Sequence, residues 1–165
     1  MKNEILAVIK KYAGVKEIGK NQGFDNKEFE SLLVSVGWKK GESYCSYTVK
    51  AILKEAGQTY NFVSPSAWKT ALNAITTGLP WETKPNDLCL IVWRQFKDWK
   101  PQAAGHIGFA INPTPNNVTT FEGNADGIDA DKIQGFEANI RSIRPDKWRV
   151  DNGLRLMGFI YLDLD

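Results

Sequence analysis

The 165-residue chain contains a single histidine, His106, and two cysteines, Cys45 and Cys89. A cysteine becomes a nucleophile when a neighbouring base takes its proton, and histidine is the side chain best suited to do so near neutral pH. With one histidine available, a Cys–His pair can form in only one way for each thiol. The setting of each cysteine therefore decides which one is the candidate nucleophile.

Cys45 lies where a loop that begins at Gly37 is predicted to turn into a helix that ends at Gly57. Glu42 and Ser43 are candidate caps for this helix. A thiol in the first turn lies close to free backbone N–H groups and to the positive end of the helix dipole, which favour a thiolate and can also bind an oxyanion. The alternative is a small buried hydrophobe on the apolar face of the helix. That predicted face consists of Cys45, Val49, Ile52 and Ala56.

His106 begins a stretch in which side chains of different size alternate, as expected of a β-strand. One face carries Ile107, Phe109 and Ile111, and the other carries His106, Gly108 and Ala110. Because the second face is nearly bare, we expect a helix to lie close against it. That packing would bring the start of the Cys45 helix next to His106.

A hairpin is predicted to return the chain beside the His106 strand. If Ala110 pairs with Val118, then His106 pairs with Glu122, and Asn124 lies on the same face. Glu122 or Asn124 could then orient the imidazole. Taken singly, each residue has another interpretation. His106 could be a core residue, Glu122 could be a solvated charge at the edge of the sheet, and Asn124 could belong to a turn. Their convergence on one face favours a catalytic site.

The rest of the pattern predicts an α+β fold, with N-terminal helices packed on a C-terminal antiparallel β-sheet, in a single domain over 1–165. Besides the Cys45 helix, we expect helices over residues 4–13, 29–36 and 64–74, the last capped by Ser64. Strands are expected over 88–93, 105–111, 118–124, 140–144 and 156–162, the last closing the sheet, and 95–104 is expected to be a loop. Cys89 falls within a continuous apolar strand, which indicates a structural residue and a free thiol.

Composition limits the classes of partner. The chain has 21 basic and 19 acidic side chains, a net charge of only +2, and the basic residues are scattered, so nucleic acid is not expected as a partner. No stretch is apolar enough for a membrane span, and the first residues lack the long apolar core of a signal peptide. We therefore expect no membrane partner and synthesis in the cytosol. Two cysteines and one histidine argue against a zinc site, and no cofactor is expected.

The chain is unusually aromatic, with six Trp, eight Phe and five Tyr, which is more than a core of this size needs. Some rings are therefore expected to line a substrate cleft. Trp38, in the loop before Cys45, is a candidate. Trp68 fits either the core or a cleft wall.

Six short motifs occur in a specific order along the chain. They are residues 14–23 (GVKEIGKNQG), 44–49 (YCSYTV), 64–68 (SPSAW), 85–88 (PNDL), 105–109 (GHIGF) and 121–124 (FEGN). In this order they resemble the CHAP domains, the cysteine, histidine-dependent amidohydrolases/peptidases, which are papain-like enzymes that cut bacterial peptidoglycan. The chain departs from the family at 44–46, where Trp-Cys-Ala is common, and at 85–87, where Pro-Gly-Asp is common.

The resemblance implies a papain-like fold and a role for each matching residue. Cys45 would be the nucleophile, His106 the base, Glu122 the residue that orients the imidazole, and Asn124 a helper or a polar group on the substrate side. Tyr44 and Ser46, which flank the nucleophile, are then candidate substrate-binding residues beside Trp38 and Trp68. Some members bind calcium, but Asp126, Asp129 and Asp131 form an incomplete ligand set, and no metal is expected.

The expected function is hydrolysis of an amide bond of peptidoglycan, as an amidase or an endopeptidase, by a monomer. The alternatives are a non-catalytic wall-binding or protein-binding module with a papain-like shell, and a transglutaminase-like acyl transferase. Without a signal peptide, we expect the enzyme to reach the wall, in the periplasm or outside the cell, after phage lysis or by specialised export. An immunity or delivery protein is a further expected partner. The bond that is cut stays open.

Overall fold

The computed structural model describes residues 1–114, 118–126, 136–143 and 153–164. Within these ranges the chain forms four helices, α1 (Lys2–Tyr12), α2 (Lys27–Ser35), α3 (Cys45–Glu55) and α4 (Ala67–Thr76). The five long strands are β3 (Leu88–Lys97), β4 (Lys100–Ile111), β5 (Val118–Asp126), β6 (Phe136–Ile143) and β7 (Leu154–Tyr161). Two short strands, β1 (Val15–Lys16) and β2 (Trp81–Glu82), form the edges of the sheet.

The sheet has the order β1-β6-β5-β4-β3-β7-β2, and each neighbouring pair is antiparallel. The predicted α+β class is therefore confirmed. The order corrects one detail, since β7 does not close the sheet but lies between β3 and β2. No helix in the described ranges combines the length and the apolar character needed to cross a membrane.

Helix α3 is more deeply enclosed than the sequence pattern predicts. Eight of its eleven residues are buried, including Ser46, Tyr47 and Thr48 outside the expected apolar face. The helix packs on α1 and α2 on one side and on β4 and β5 on the other. Only Lys50 and Lys54 are exposed, so the buried surface of α3 is wider than the predicted apolar face.

The predicted caps of α3 are wrong. The helix begins after Tyr44, and no side chain caps its first turn. Glu42 instead accepts a hydrogen bond from the backbone N–H of Lys39, and the Ser43 hydroxyl faces the Cys45 sulfur at 4.0 Å. The first N–H groups of α3 are thus not occupied by a capping side chain, unlike those of α2 and α4.

The cap of α4 is also displaced from the predicted position. Ser66, not Ser64, caps the helix, with its hydroxyl accepting from the Lys69 N–H at 3.3 Å. Ser64 stabilises the preceding turn, because its hydroxyl accepts from the Ser66 N–H at 3.2 Å. Both serines satisfy backbone groups, which is why the sequence alone did not separate them.

The predicted loop over 95–104 is a long hairpin. Strand β3 continues to Lys97, and β4 already begins at Lys100. The two turn residues, Asp98 and Trp99, have φ values of 48° and 64°. A two-residue hairpin turn needs positive φ at its centre, a conformation usually supplied by Asn-Gly or Asp-Gly. A tryptophan at this position gives no such signal.

The two faces of the sheet bury different clusters. Ile107, Phe109 and Ile111 pack with the helices in the main core. Ala110 and Cys89 belong to a smaller cluster on the opposite face, and neither cysteine forms a disulfide. The helices therefore cover the face with the large side chains, and the expectation that a helix packs against Gly108 and Ala110 is wrong.

Strand β5 makes the close contact with α3 at Gly123. A Cβ at this position would lie 2.8 Å from Thr48 Cβ and 3.0 Å from the Tyr44 ring, and it would overlap the Thr48 hydroxyl. That hydroxyl already donates to the Tyr44 carbonyl at 2.8 Å. Only glycine allows the first turn of α3 to approach the strand this closely.

We expect Gly123→Ala to lower the free energy of unfolding by about 1–3 kcal/mol, because the added methyl group must push α3 away from the strand. Chemical denaturation measures the loss. The double variant Gly123→Ala/Thr48→Ala removes the overlapping hydroxyl and should lose less than the sum of the two single variants. Strict additivity would show that the steric contact does not set the helix position.

Candidate active site

Cys45 is the first residue of α3 and is 6% exposed. Its sulfur faces the Ser43 hydroxyl at 4.0 Å, and the His106 imidazole is near enough to lower the pKa of the thiol. The contact between Gly123 and the first turn of α3 holds the thiol at the end of β5. The structure thus brings the predicted nucleophile to the only histidine of the chain.

His106 lies on β4, is 9% exposed and packs its ring beside Trp93, with ring centroids 5.3 Å apart. Trp93 is also its cross-strand partner on β3. The Nε2 atom of His106 lies 2.6 Å from Oε2 of Glu122. Since Nε2 is engaged with the carboxylate, Nδ1 is the ring nitrogen that remains for the thiol of Cys45.

Glu122 is fully buried, and each of its carboxylate oxygens has a partner. One oxygen binds the His106 imidazole, and the other accepts a hydrogen bond of 2.6 Å from the hydroxyl of Thr120. The carboxylate that was predicted to orient the imidazole therefore contacts it, and His106 is the neighbour that lowers the pKa of the Cys45 thiol. Thr120 was not predicted as a site residue, although strand alternation alone puts it two positions from Glu122 on the same face.

The register of the hairpin differs from the predicted one by two residues. Ala110 pairs with Thr120, not with Val118, and the same register continued along the strands puts Glu122 opposite Gly108 and not opposite His106. Because the shift is an even number, the same side chains stay on the same face. A Cβ at Gly108 would lie 2.6 Å from Cγ of Glu122, so the bare position admits the carboxylate, which leans along the strand to reach His106.

Asn124 occupies an irregular point of β5. Its φ is 57°, and the pairing of β5 with β6 shifts register between Glu122 and Ala125. The buried Oδ1 atom of Asn124 has no hydrogen-bond partner among the described residues. Of the two predicted orienting residues, Glu122 is the one that contacts the imidazole, and Asn124 stays a candidate polar group on the substrate side.

The electrostatics favour a charged Cys–His pair. Burial alone would raise the pKa of the Cys45 thiol, but the hydrogen bond and charge of His106, with smaller contributions from Ser43 and Ser46, bring that pKa below its usual value. For His106, burial lowers the pKa, whereas Cys45 and Glu122 raise it, to about 9. A thiolate beside an imidazolium is the state that these opposed shifts favour near neutral pH.

Three of the four candidate substrate-binding residues lie inside the protein. Trp38 is 2% exposed and donates its indole N–H to the Glu42 carbonyl at 2.8 Å. Tyr44 is fully buried, with its ring 4.7 Å from that of Phe24, and Ser46 is 1% exposed. Trp38 and Tyr44 therefore pack inside the protein around the loop that leads to Cys45. Their expected role as substrate-binding residues is corrected by this burial.

Trp68, the fourth candidate, is half-buried on α4. Its ring meets Trp81 edge-on, with centroids 6.5 Å apart, and the Arg94 guanidinium stacks over it at 4.4 Å. Neither of the two open alternatives, core residue or cleft wall, is excluded by this position. The stack with Arg94 shows that the ring presents a face to a cation.

The described residues hold no cluster of three or more His, Cys, Asp or Glu side chains that could bind a metal ion. Of the incomplete acidic set, Asp129 and Asp131 lie outside the described residues, as does the side chain of Asp126. Comparison of the chain with protein-family models, curated proteins and solved structures finds no match. The chemistry of the site must therefore be argued from its own geometry.

Selective alkylation tests the thiolate. Because the pKa of Cys45 is lowered, iodoacetamide should modify Cys45 in the native protein well below about pH 8, whereas burial raises the pKa of Cys89 to about 12 and should protect it. Peptide mass spectrometry assigns the modified residue. In His106→Ala only the smaller effects of Ser43 and Ser46 oppose burial, so the pKa of Cys45 should rise and its modification should slow. Equal, slow alkylation of both cysteines would contradict an activated thiol.

The role of Thr120 is tested by removing only its hydroxyl. Thr120→Val keeps the shape of the side chain but loses the hydrogen bond to Glu122, so the carboxylate should hold the imidazole less well and kcat should fall about tenfold to a hundredfold. KM should change little, because Thr120 is buried behind the site. Thr120→Ser keeps the hydroxyl and should recover most of the rate. Equal losses in both variants at equal melting temperature would assign Thr120 a packing role only.

Proposed function

We propose that the protein is a cysteine amidohydrolase or peptidase that cleaves an amide bond of bacterial peptidoglycan. The observation that carries the proposal is the pair of His106 and Glu122, with the carboxylate buried and bonded at 2.6 Å to the imidazole, beside a Cys45 thiol whose pKa is lowered by His106. A thiol, a base and a group that fixes the base are the three parts that nucleophilic acyl transfer requires. Their pKa shifts run in the directions that this chemistry needs.

The reaction follows from these positions. The thiolate of Cys45 attacks the carbonyl carbon of the amide, and the carbonyl oxygen takes the negative charge, which the free N–H groups at the start of α3 stabilise. The imidazolium of His106 then gives its proton to the nitrogen, the C–N bond breaks, and the amine leaves. Water, deprotonated by the neutral imidazole, attacks the thioester and releases the acid, and the proton returns to the Cys–His pair.

Glu122 acts on the base and not on the substrate. Its charge stabilises the imidazolium, and its fixed position keeps Nδ1 aimed at the sulfur. Since the carboxylate is fully buried, no solvent screens the interaction. An amide substituted for the carboxylate would keep the shape but lose the charge.

The substrate class is supported by the resemblance of the ordered motifs to the CHAP domains. The wild-type chain keeps the residues of those motifs that carry the chemistry, Cys45, His106, Glu122 and Asn124. The proposed setting is bacterial. The enzyme would be made in the cytoplasm, reach the wall after phage lysis or specialised export, and act there as a monomer, alone or with a delivery or immunity protein.

Digestion of purified walls tests the proposal. Wild-type protein should release free amines or stem peptides, and Cys45→Ala and His106→Ala should release them at the background rate, because the nucleophile or its only base is lost. Glu122→Gln should lose about tenfold to a thousandfold in rate, since the charge that stabilises the imidazolium is gone. Mass spectrometry of the fragments identifies the bond that is cut.

The matched control is Cys89→Ala, which removes the other thiol on the opposite face of the sheet and should keep full activity. Melting temperatures exclude unfolding as the cause of any loss. Equal release by wild type and Cys45→Ala would overturn the proposal. If wild type binds walls without release, a non-catalytic module explains the protein better, and an amine joined to the product would indicate acyl transfer.

A further inference from the structure

The β3–β4 hairpin ends in an exposed group of aromatic and basic residues. We define this hairpin tip as Phe96, Lys97, Trp99, Lys100 and Arg155, the last contributed by β7. Trp99 is 84% exposed, the most exposed of the large apolar side chains in the described residues. Phe96 is only half-buried beneath it, and both lysines are exposed. Asp98 is the one acidic residue in the turn.

The backbone and the charges of the tip are unfavourable for stability. Asp98 and Trp99 both have positive φ, a conformation that costs a residue with a side chain about 1 kcal/mol or more. Lys97 and Lys100 are directly opposed across the strands, where like charges repel. Within the described residues neither lysine pairs with a carboxylate. The exposed tryptophan thus lies between two lysines that have no carboxylate partner among the described residues.

The tryptophan is nevertheless held in place. The Arg155 guanidinium lies 4.4 Å from the ring centroid of Phe96 and 4.8 Å from that of Trp99, so one cation contacts both rings. Such stacks restrict the motion of a ring and lower the entropy lost when a ligand binds. The indole is therefore a preorganised flat surface with positive charge at its edges.

The tip belongs to the same hairpin as the candidate base. His106 pairs with Trp93, and from Trp93 the strand continues through Arg94, which stacks on Trp68, to the tip. Trp99 lies six positions after Trp93. At about 3.3 Å per residue this corresponds to at most about 20 Å, or a few sugar units. Only an extended polymer could reach both the site and the tip at once.

We propose that the hairpin tip is a binding subsite for the glycan strand of peptidoglycan, with Trp99 stacking on a sugar ring and Lys97 and Lys100 pairing with carboxylates of the attached peptides. The apolar C–H face of a pyranose matches an exposed indole, and the free carboxylates of stem peptides match two lysines that lack a carboxylate partner in the described part of the chain. This inference rests on the proposed function and adds to it a second point of attachment that favours polymeric over short substrates.

Co-sedimentation with purified, protein-free peptidoglycan sacculi tests the subsite, using the Cys45→Ala protein so that no cleavage occurs. Trp99→Ala should weaken binding about tenfold or more, as expected for loss of a central aromatic contact. The double variant Lys97→Gln/Lys100→Gln should weaken binding less and reduce its dependence on salt. Val34→Ala is the matched control, since Val34 is also exposed, at 56%, but lies on α2, and it should bind as the parent does.

In the active protein, Trp99→Ala should slow the digestion of sacculi but not the alkylation of Cys45, because the tip lies outside the catalytic contacts. Unchanged binding and digestion by Trp99→Ala would overturn the subsite while leaving the hydrolase proposal intact. Absence of cleavage by the wild type would overturn the hydrolase proposal. The sedimentation experiment would still show whether the hairpin tip binds peptidoglycan. If binding that depends on Trp99 is seen with phosphatidylglycerol vesicles but not with sacculi, the ligand of the hairpin tip is an anionic membrane. This result would overturn the glycan subsite.

Discussion

The carboxylate of Glu122 has no exposed surface, and a charge removed from water in this way costs several kcal/mol unless it is well paired. The imidazole of His106 and the hydroxyl of Thr120 are partners of this carboxylate, each at 2.6 Å. Many other features serve this arrangement. Gly108 leaves the space that the side chain crosses, and the register between β4 and β5 decides which residue stands opposite that space.

A second constraint acts on the nucleophile. Burial opposes ionisation of Cys45, and the neighbouring His106 favours it, so the state of the thiol depends on a balance between two large effects. That balance depends on the position of the first turn of α3 relative to β5. The close contact at Gly123 fixes this position. The uncapped first turn fits the same purpose, because a side-chain cap would occupy the N–H groups on which an oxyanion would rest.

The sequence predicted much of the site because an error of two residues in the strand register leaves every side chain on the same face of the sheet. The pairing of Ala110 with Val118 was wrong by two residues, yet His106, Glu122 and the missed Thr120 kept a common face. Other errors came from residues with two possible uses. Ser64 and Ser66 both suit a cap, and the size of Trp38 does not tell whether it faces a substrate or the core. Asp98-Trp99 forms a tight turn without the usual turn residues, so the hairpin over 95–104 could not be recognised.

The deep burial of α3 bears on how the protein would lose the proposed activity. In native-state hydrogen exchange, elements with many buried contacts open only when the whole domain opens, whereas peripheral elements open locally. With eight of eleven residues buried, α3 belongs to the first group. Cys45, the proposed nucleophile, therefore belongs to a part of the molecule that should exchange slowly, and heat should separate the thiol from His106 in the same cooperative step that unfolds the core.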